Sequence, residues 1–200
     1  MVDVVARPPV SLRPERPGEG AIVDSMVVSA FEDDRLAGLL SALRGSDDAW
    51  VEGLSFVAEL DGEIAGHVLF TRSLLDAPPR LVNVLVLSPL SVRSDLRGRG
   101  IGSALVRHGL DQVRRRTEPL VFLEGSPAYY GRLGFVPGGG LGFRKPSLRI
   151  PDAAFQVMTL PAYEPWMTGT LVYADAFWRH DCVGLRDEPT SAAKPQPSDQ

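Results

Sequence analysis

Residues 97 to 103 read Arg-Gly-Arg-Gly-Ile-Gly-Ser, and this is where the chain is best equipped for chemistry. Gly98, Gly100 and Gly102 clear side chains from a turn, so that an anion can approach the backbone. Ile101, Leu105, Val106, Leu110 and Val113 recur at helical spacing and predict a helix from about Gly100 to Arg116. The first N–H groups of such a helix lack intrahelical partners and carry the positive end of its dipole. Arg97 and Arg99 add planar donors suited to phosphate. The turn therefore suits a phosphate or pyrophosphate; the plainer alternative is a tight strand-to-helix turn with solvated arginines. Spacing excludes two nucleotide signatures. The third glycine of G-x-G-x-x-G would fall at Ser103, and no Gly-Lys-Ser/Thr occurs in the chain.

The elements that must hold this turn follow from periodicity. A short strand is expected over Val10 to Pro14, then helices over Gly18 to Phe31 and Asp33 to Leu43. Leu54 to Leu60 reads as a strand, and Asp61-Gly62 as a tight hairpin turn into Glu63 to Thr71. A third long apolar strand, Leu81 to Val92, leads into the glycine turn. Pro119 to Leu123 reads as a buried strand, followed by a short helix opened by Ser126-Pro127 and stopped at Gly134. Strands near Phe155 to Leu160 and Thr170 to Ala174 complete a mixed α/β domain, expected over residues 10–183. Asp187 to Gln200 holds no apolar residue larger than alanine and is expected to be a disordered tail.

Bulk properties narrow the classes further. The chain has 200 residues, 44% of them hydrophobic and 23% charged, enough for one well-filled core. A net charge of -4 argues against a nucleic-acid-coating surface. With one cysteine, Cys182, no internal disulfide or thiolate metal cluster can form, and no metal is expected. Met1 to Pro9 lacks the apolar core of a signal peptide, and no apolar run approaches the ~20 residues of a membrane span. The expectation is a cytoplasmic protein with no membrane or nucleic-acid partner.

The segment Leu90-Ser91-Val92-Arg93-Ser94-Asp95-Leu96-Arg97-Gly98-Arg99-Gly100-Ile101-Gly102 resembles the coenzyme A signature of the GNAT superfamily of N-acetyltransferases, [Q/R]-x-x-G-x-[G/A] after a Leu-x-Val-like strand. A second family motif, Tyr-x-x-x-Gly-Phe, stands some thirty residues on as Tyr130-Gly131-Arg132-Leu133-Gly134-Phe135. The element order is similar over roughly Val10 to Trp178. The resemblance implies a mostly antiparallel central sheet flanked by helices, with a bulged strand splayed at the cosubstrate site. It implies acetyl-CoA as cosubstrate, with pyrophosphate on the turn from Arg97 through Gly98, Arg99, Gly100 and Ile101 to Gly102 and Ser103. The pantetheine arm would bond to the backbone of Leu90 and Val92, where Pro89 is compatible with a bulge. An N–H near Val92 would stabilise the oxyanion.

By the same resemblance Tyr130 is the proton donor to the departing thiolate, with Tyr129 facing elsewhere. Glu124, at the end of the strand after the cofactor helix, is the best-placed carboxylate for a base. Its plainer reading is a solvated or capping side chain. His67, on the strand face with Ala65 and Leu69, reads as a satisfied, partly buried side chain. His108 reads as structural, Ser126 as a cap, and His180 with Cys182 as too few ligands for a metal. Many relatives carry an asparagine before the tyrosine; here the connection is only Glu124-Gly125-Ser126-Pro127. The acceptor would be a small-molecule amine or a protein amine, and homodimers are common in the family. A longer acyl-CoA, a hydroxyl acceptor, or a non-catalytic acyl-CoA-binding sensor or scaffold are the competing readings. Gly138 to Gly142 reads as a lid or a flexible turn, and Trp166, Phe177 and Trp178 as an apolar site or core.

Overall fold

A computed structural model describes residues 10–184; the segment Asp187 to Gln200, expected as a tail, lies outside the described residues. The chain forms β1 (Ser11–Pro14), α1 (Gly20–Phe31), α2 (Arg35–Arg44), β2 (Ser55–Leu60), β3 (Glu63–Asp76) and β4 (Leu81–Val92). Then follow α3 (Ile101–Val113), β5 (Leu120–Glu124), α4 (Pro127–Tyr130), β6 (Val136–Pro137), β7 (Phe143–Arg144), β8 (Phe155–Thr159), β9 (Gly169–Val172) and α5 (Asp175–Arg179). The sheet runs β1-β2-β3-β4-β5-β8-β6, with β9 on the far end of β3 and β7 on β9. Its pairings are antiparallel except β4 with β5 and β7 with β9. This is the mixed, mostly antiparallel, helix-flanked α/β sheet that the sequence implies.

Asp61 and Gly62 both take positive φ, 54° and 80°, which lets two residues join β2 to β3 with Leu60 opposite Glu63. The sheet buries both faces. On one, Val23 and Val27 of α1, Leu39, Leu40 and Leu43 of α2 and Phe177 of α5 pack over Val84, Val86, Leu120 and Phe122. On the other, Ile101, Leu105, Val106, Leu110 and Val113 of α3 pack over Val68, Phe70, Leu85 and Val121. Each large aliphatic side chain so buried contributes about 1.5–3 kcal/mol.

Besides the two-residue strands β6 and β7, which the sequence reading lacks, three elements differ from it. β3 continues to Asp76 because Leu74, Leu75 and Asp76 are paired on both sides, to β4 and to β9; its mixed polarity hides this in the sequence. α3 ends at Val113, its last buried position, leaving Arg114, Arg115 and Arg116 exposed beyond it. α5 was not anticipated, and His180 just after it reaches α2, where a Cβ on Gly38 would lie 2.8 Å from its ring.

Candidate active site

The site begins where β4 leaves its neighbour. β4 and β5 are in register only at Leu85–Val121 and Val86–Phe122, after which the ladder stops. On its other edge β4 stays paired to β3 as far as Val92. Within that pairing the register slips between Phe70–Leu87 and Val68–Leu90, so Ser88 and Pro89, joined by a cis peptide, face the single residue Leu69. Arg93 N–H donates back to Ala65 on β3 at 2.9 Å. Because successive peptides of a strand point to alternate edges, the N–H groups of Leu90 and Val92 face the open β4–β5 gap.

Beyond β4 a 3-10 turn over Ser94–Leu96 leads into Arg97, and Gly98 and Gly100 follow with φ of 76° and 84°. L side chains rarely adopt that conformation, and a Cβ at either position would meet nothing within 4 Å. Backbone conformation, not crowding, thus calls for glycine here. The N–H groups from Gly98 through Ser103 donate to no acceptor in the described protein. Six free donors at the mouth of α3 fit a doubly charged anion such as a pyrophosphate. Arg99 donates to Asp95 O at 3.3 Å. The Arg97 side chain turns away from the cradle, its Nη2 donating to Ala30 O at the end of α1 and its Nε to Val92 O at 3.4 Å. Its contribution is to tie α1 to the turn.

Tyr129 and Tyr130 both pack on the α3 side of the sheet, as do Leu90 and Val92. Tyr129 does not face away: its Oη lies 3.4 Å from Ser103 Oγ, and a Cβ on Gly102 would come within 2.8 Å of it. The Tyr130 ring lies edge-on to Tyr129 and Phe135, at 4.9 and 5.8 Å between centroids. It also sits so close to Gly125 that a Cβ there would be 2.3 Å from the ring. Burial, and next the Tyr129 neighbour, push the Tyr130 phenol well above its ordinary pKa, so it stays protonated.

Glu124 lies on the opposite face, toward α1, α2 and α5. Its Oε1 accepts from Tyr173 Oη at 2.8 Å and its Oε2 from Gly184 N–H at 3.1 Å. Burial raises its pKa, against the lowering effect of Tyr173, Gly184 and Arg149. The carboxylate is therefore half-buried and held by two donors, not a helix cap. Tyr173 and Gly184 are functional candidates that the sequence reading missed, since nothing in residue spacing links them to Glu124. Tyr130 thus lies on the α3 side of the sheet and Glu124, at the end of β5, on the other.

The remaining candidates do other work. His67 is fully buried: its Nε2 lies 2.9 Å from Ser55 Oγ and 3.6 Å from Glu15 Oε2, while its Nδ1 has no partner. Burial lowers its pKa, and against the expectation of a satisfied, partly buried side chain it is wholly buried with one ring nitrogen unpaired. A register slip at Ala58–Glu59 puts Ala65 on the α3 side and Leu69 on the other. His108 makes an edge contact with Phe56. Ser126 sits at the head of α4, where its carbonyl, and not its hydroxyl, receives the N–H groups of Tyr129 and Tyr130. Cys182 is half-buried, its thiol donating to His180 O. Gly138–Leu141 forms a 3-10 turn; Phe177 is core and Trp178 is exposed. Among the described residues no group of metal-ligating side chains comes together, and no helix is long and apolar enough to cross a membrane.

The model of the Acetyltransferase (GNAT) family matches residues 26–135, from within α1 to the Phe135 that ends the second motif. The chain belongs to the GNAT acetyltransferase family. This acetyltransferase is 32% identical over 150 residues to the uncharacterized N-acetyltransferase YjhQ of Escherichia coli K12, covering 73% of the chain and 82% of YjhQ. Its fold is similar to that of Escherichia coli YhbS, a GNAT family N-acetyltransferase crystallised with CoA. The TM-score is 0.76 at 28% identity, over 90% of this chain and 96% of YhbS. A GNAT family acetyltransferase from Brucella melitensis in complex with acetyl-CoA gives a TM-score of 0.67 at 29% identity, over 84% and 98% of the two chains. The protein is accordingly an N-acetyltransferase.

Proposed function

We propose that residues 10–183 act as one acetyltransferase domain that moves an acetyl group from acetyl-CoA to an amine by direct attack on the thioester. Acetyl-CoA is the cosubstrate, as in the CoA and acetyl-CoA complexes of the YhbS and Brucella proteins. The observation that carries the reading is the run of free N–H groups from Gly98 to Ser103, continuous with the open edge of Leu90 and Val92. The first would hold pyrophosphate, and the second would pair with the pantetheine arm as an added strand. An N–H at that edge, near Val92, would also polarise the thioester carbonyl.

In the step itself the amine lone pair forms a C–N bond to the carbonyl carbon, the C–S bond breaks, and one amine proton is lost. Glu124, its basicity raised by burial, accepts that proton directly or through water. Tyr130 supports the leaving sulfur from the α3 side. Its raised pKa makes full transfer to a thiolate of ordinary basicity, about 8.5 for an alkyl thiol, unfavourable. Its work is a hydrogen bond to the sulfur while charge develops; Glu124 releases the amine's proton to solvent, and the departing CoA thiolate takes up a proton from solvent. Entry from opposite faces would keep the acceptor near Glu124 and the thiol near Tyr130. The acceptor is a small-molecule amine or, second, a protein amine.

The test is free-thiol release from acetyl-CoA across a panel of amines, with peptides carrying a free N-terminus or lysine included. Acceptor-dependent thiol release supports transfer. Acetyl-CoA binding with no release for any acceptor would instead favour a sensor or scaffold.

A further inference from the structure

A cavity of about 1270 Å³ opens at the other end of the sheet, between the end of α2, the β3–β4 hairpin, the residues leading into β5, and the β9–α5 segment. Its β4 wall, Leu81 to Asn83, stands nine residues before Leu90 to Val92 on the same strand, or roughly 30 Å at the rise of an extended chain. The cavity is therefore separate from the acetyl-transfer site. One residue joins the two: Tyr173 lines the cavity, and its hydroxyl reaches Glu124.

Four arginines and three carboxylates line the cavity. Two of these pairs neutralise themselves, Arg116 with Glu118 at 3.2 Å and Arg179 with Asp175. That leaves Arg72 and Arg80 against Asp48, an excess of one positive charge in a chain of net charge -4. Neither arginine reaches a carboxylate within ion-pair distance among the described residues. The Arg72 guanidinium donates one bond, to Asp47 O at 3.4 Å. Among the described residues the guanidinium of Arg80 has no hydrogen-bond acceptor and is held instead over the Trp166 ring, 5.1 Å from its centroid. Trp166 is itself fixed by its indole N–H on Glu164 at 2.8 Å. Beside these cations the wall is apolar: Leu81 is 59% exposed and Val172 42% exposed, large values for such side chains.

We infer that this cavity is a second ligand site, which takes a small organic monoanion, a carboxylate on a flat or apolar skeleton, held by Arg80 and Arg72. The single excess charge matches a monoanion better than a phosphate, the planar guanidinium of Arg80 is free to meet a carboxylate edge-on, and Leu81 and Val172 supply a surface for the skeleton. The inference does not depend on the catalytic reading, and either can fail alone.

Titration of the full chain with benzoate, followed by ligand-observed NMR, tests it, with benzylamine and inorganic phosphate as comparison probes. The expected result is saturable benzoate binding, on the order of millimolar or tighter for so few atoms, and markedly weaker binding of both comparison probes. Arg80→Gln should weaken benzoate at least ~10-fold, the scale of one lost charge-assisted bond pair. Arg179→Gln, at an exposed and already paired residue, should not. Acetyl-CoA affinity should be the same in Arg80→Gln as in the parent chain. Equal binding of the three probes, benzoate binding indifferent to Arg80→Gln, or displacement of benzoate by acetyl-CoA would each overturn the assignment.

Discussion

Replacing Gly100 by alanine separates the stability of the glycine turn from its capacity to bind. At φ 84° an L residue pays a left-handed cost of about 1–2 kcal/mol, and since a Cβ there meets nothing within 4 Å no steric cost adds to it. If the turn keeps its shape, a domain of this size should lose roughly 2–8 °C in Tm without ligand. If the chain relieves the strain by rotating the peptides on either side of residue 100, the N–H groups of Gly100 and Ile101 swing out of the cradle. Hydrogen bonds to charged groups contribute about 1.5–3 kcal/mol each. Losing two would weaken acetyl-CoA by about 3–6 kcal/mol, or roughly 10²- to 10⁴-fold in Kd. Gly100→Asn should restore much of the affinity, because asparagine enters the left-handed region more readily. Isothermal titration with acetyl-CoA and thermal melts of the same samples read both quantities. A Gly100→Ala protein that melts as the parent does, its strain relieved by those rotations, yet binds acetyl-CoA within twofold of the parent would refute the role given to these donors.

Other consequences are as direct. Tyr130→Phe should lower kcat on the order of 10²-fold, the scale of one positioned proton or hydrogen-bond donor, while acetyl-CoA affinity stays nearly unchanged; lost affinity with unchanged kcat would contradict its role. Glu124 must be ionised to accept a proton, so activity should fall as pH drops through its raised pKa, and Glu124→Gln should remove that limb of the pH–rate profile. For stability the sign is opposite to that of an ion-paired carboxylate. A raised folded-state pKa means the ionised form disfavours the fold above that pKa and the penalty vanishes below the unfolded value, so Glu124→Gln should gain stability relative to the parent as pH rises through this window, read from paired denaturation curves. Gly109→Ala would set a Cβ 2.2 Å from Phe70 Cε2 and should destabilise by about 1–3 kcal/mol of overpacking, less the ~1 kcal/mol gained in helix propensity, measured by urea unfolding. Gly125→Ala should displace the Tyr130 ring and reproduce much of the Tyr130→Phe loss in kcat.

What sequence could and could not disclose follows from range. Asp61-Gly62, the apolar run of β4 and the apolar stripe of α3 are local patterns, and each lies where it was read within a few residues. The glycine turn is likewise local, since left-handed φ at Gly98 and Gly100 is written in residue type. The end of β3 was missed because Arg72, Ser73 and Asp76 look like a loop until β9 arrives from almost a hundred residues away. The clamp on Glu124 is a meeting of residues 124, 173 and 184, and no spacing rule connects them. That Tyr129 reaches Ser103 of α3 while Tyr130 packs on Gly125 and Phe135 depends on where α4 turns into the 3-10 segment Gly131–Leu133, which no local pattern fixes. Arg97 is a residue whose type fits phosphate but whose side chain is taken by Ala30 and Val92.

A crystal structure of the complex with CoA tests the central claim most directly. The account predicts the pyrophosphate within hydrogen-bond distance of the N–H groups from Gly98 to Ser103. It also predicts the pantetheine arm along Leu90 and Val92 in the β4–β5 gap, with the thiol on the side of Tyr130. CoA bound elsewhere, or bound with those N–H groups unengaged, would contradict it.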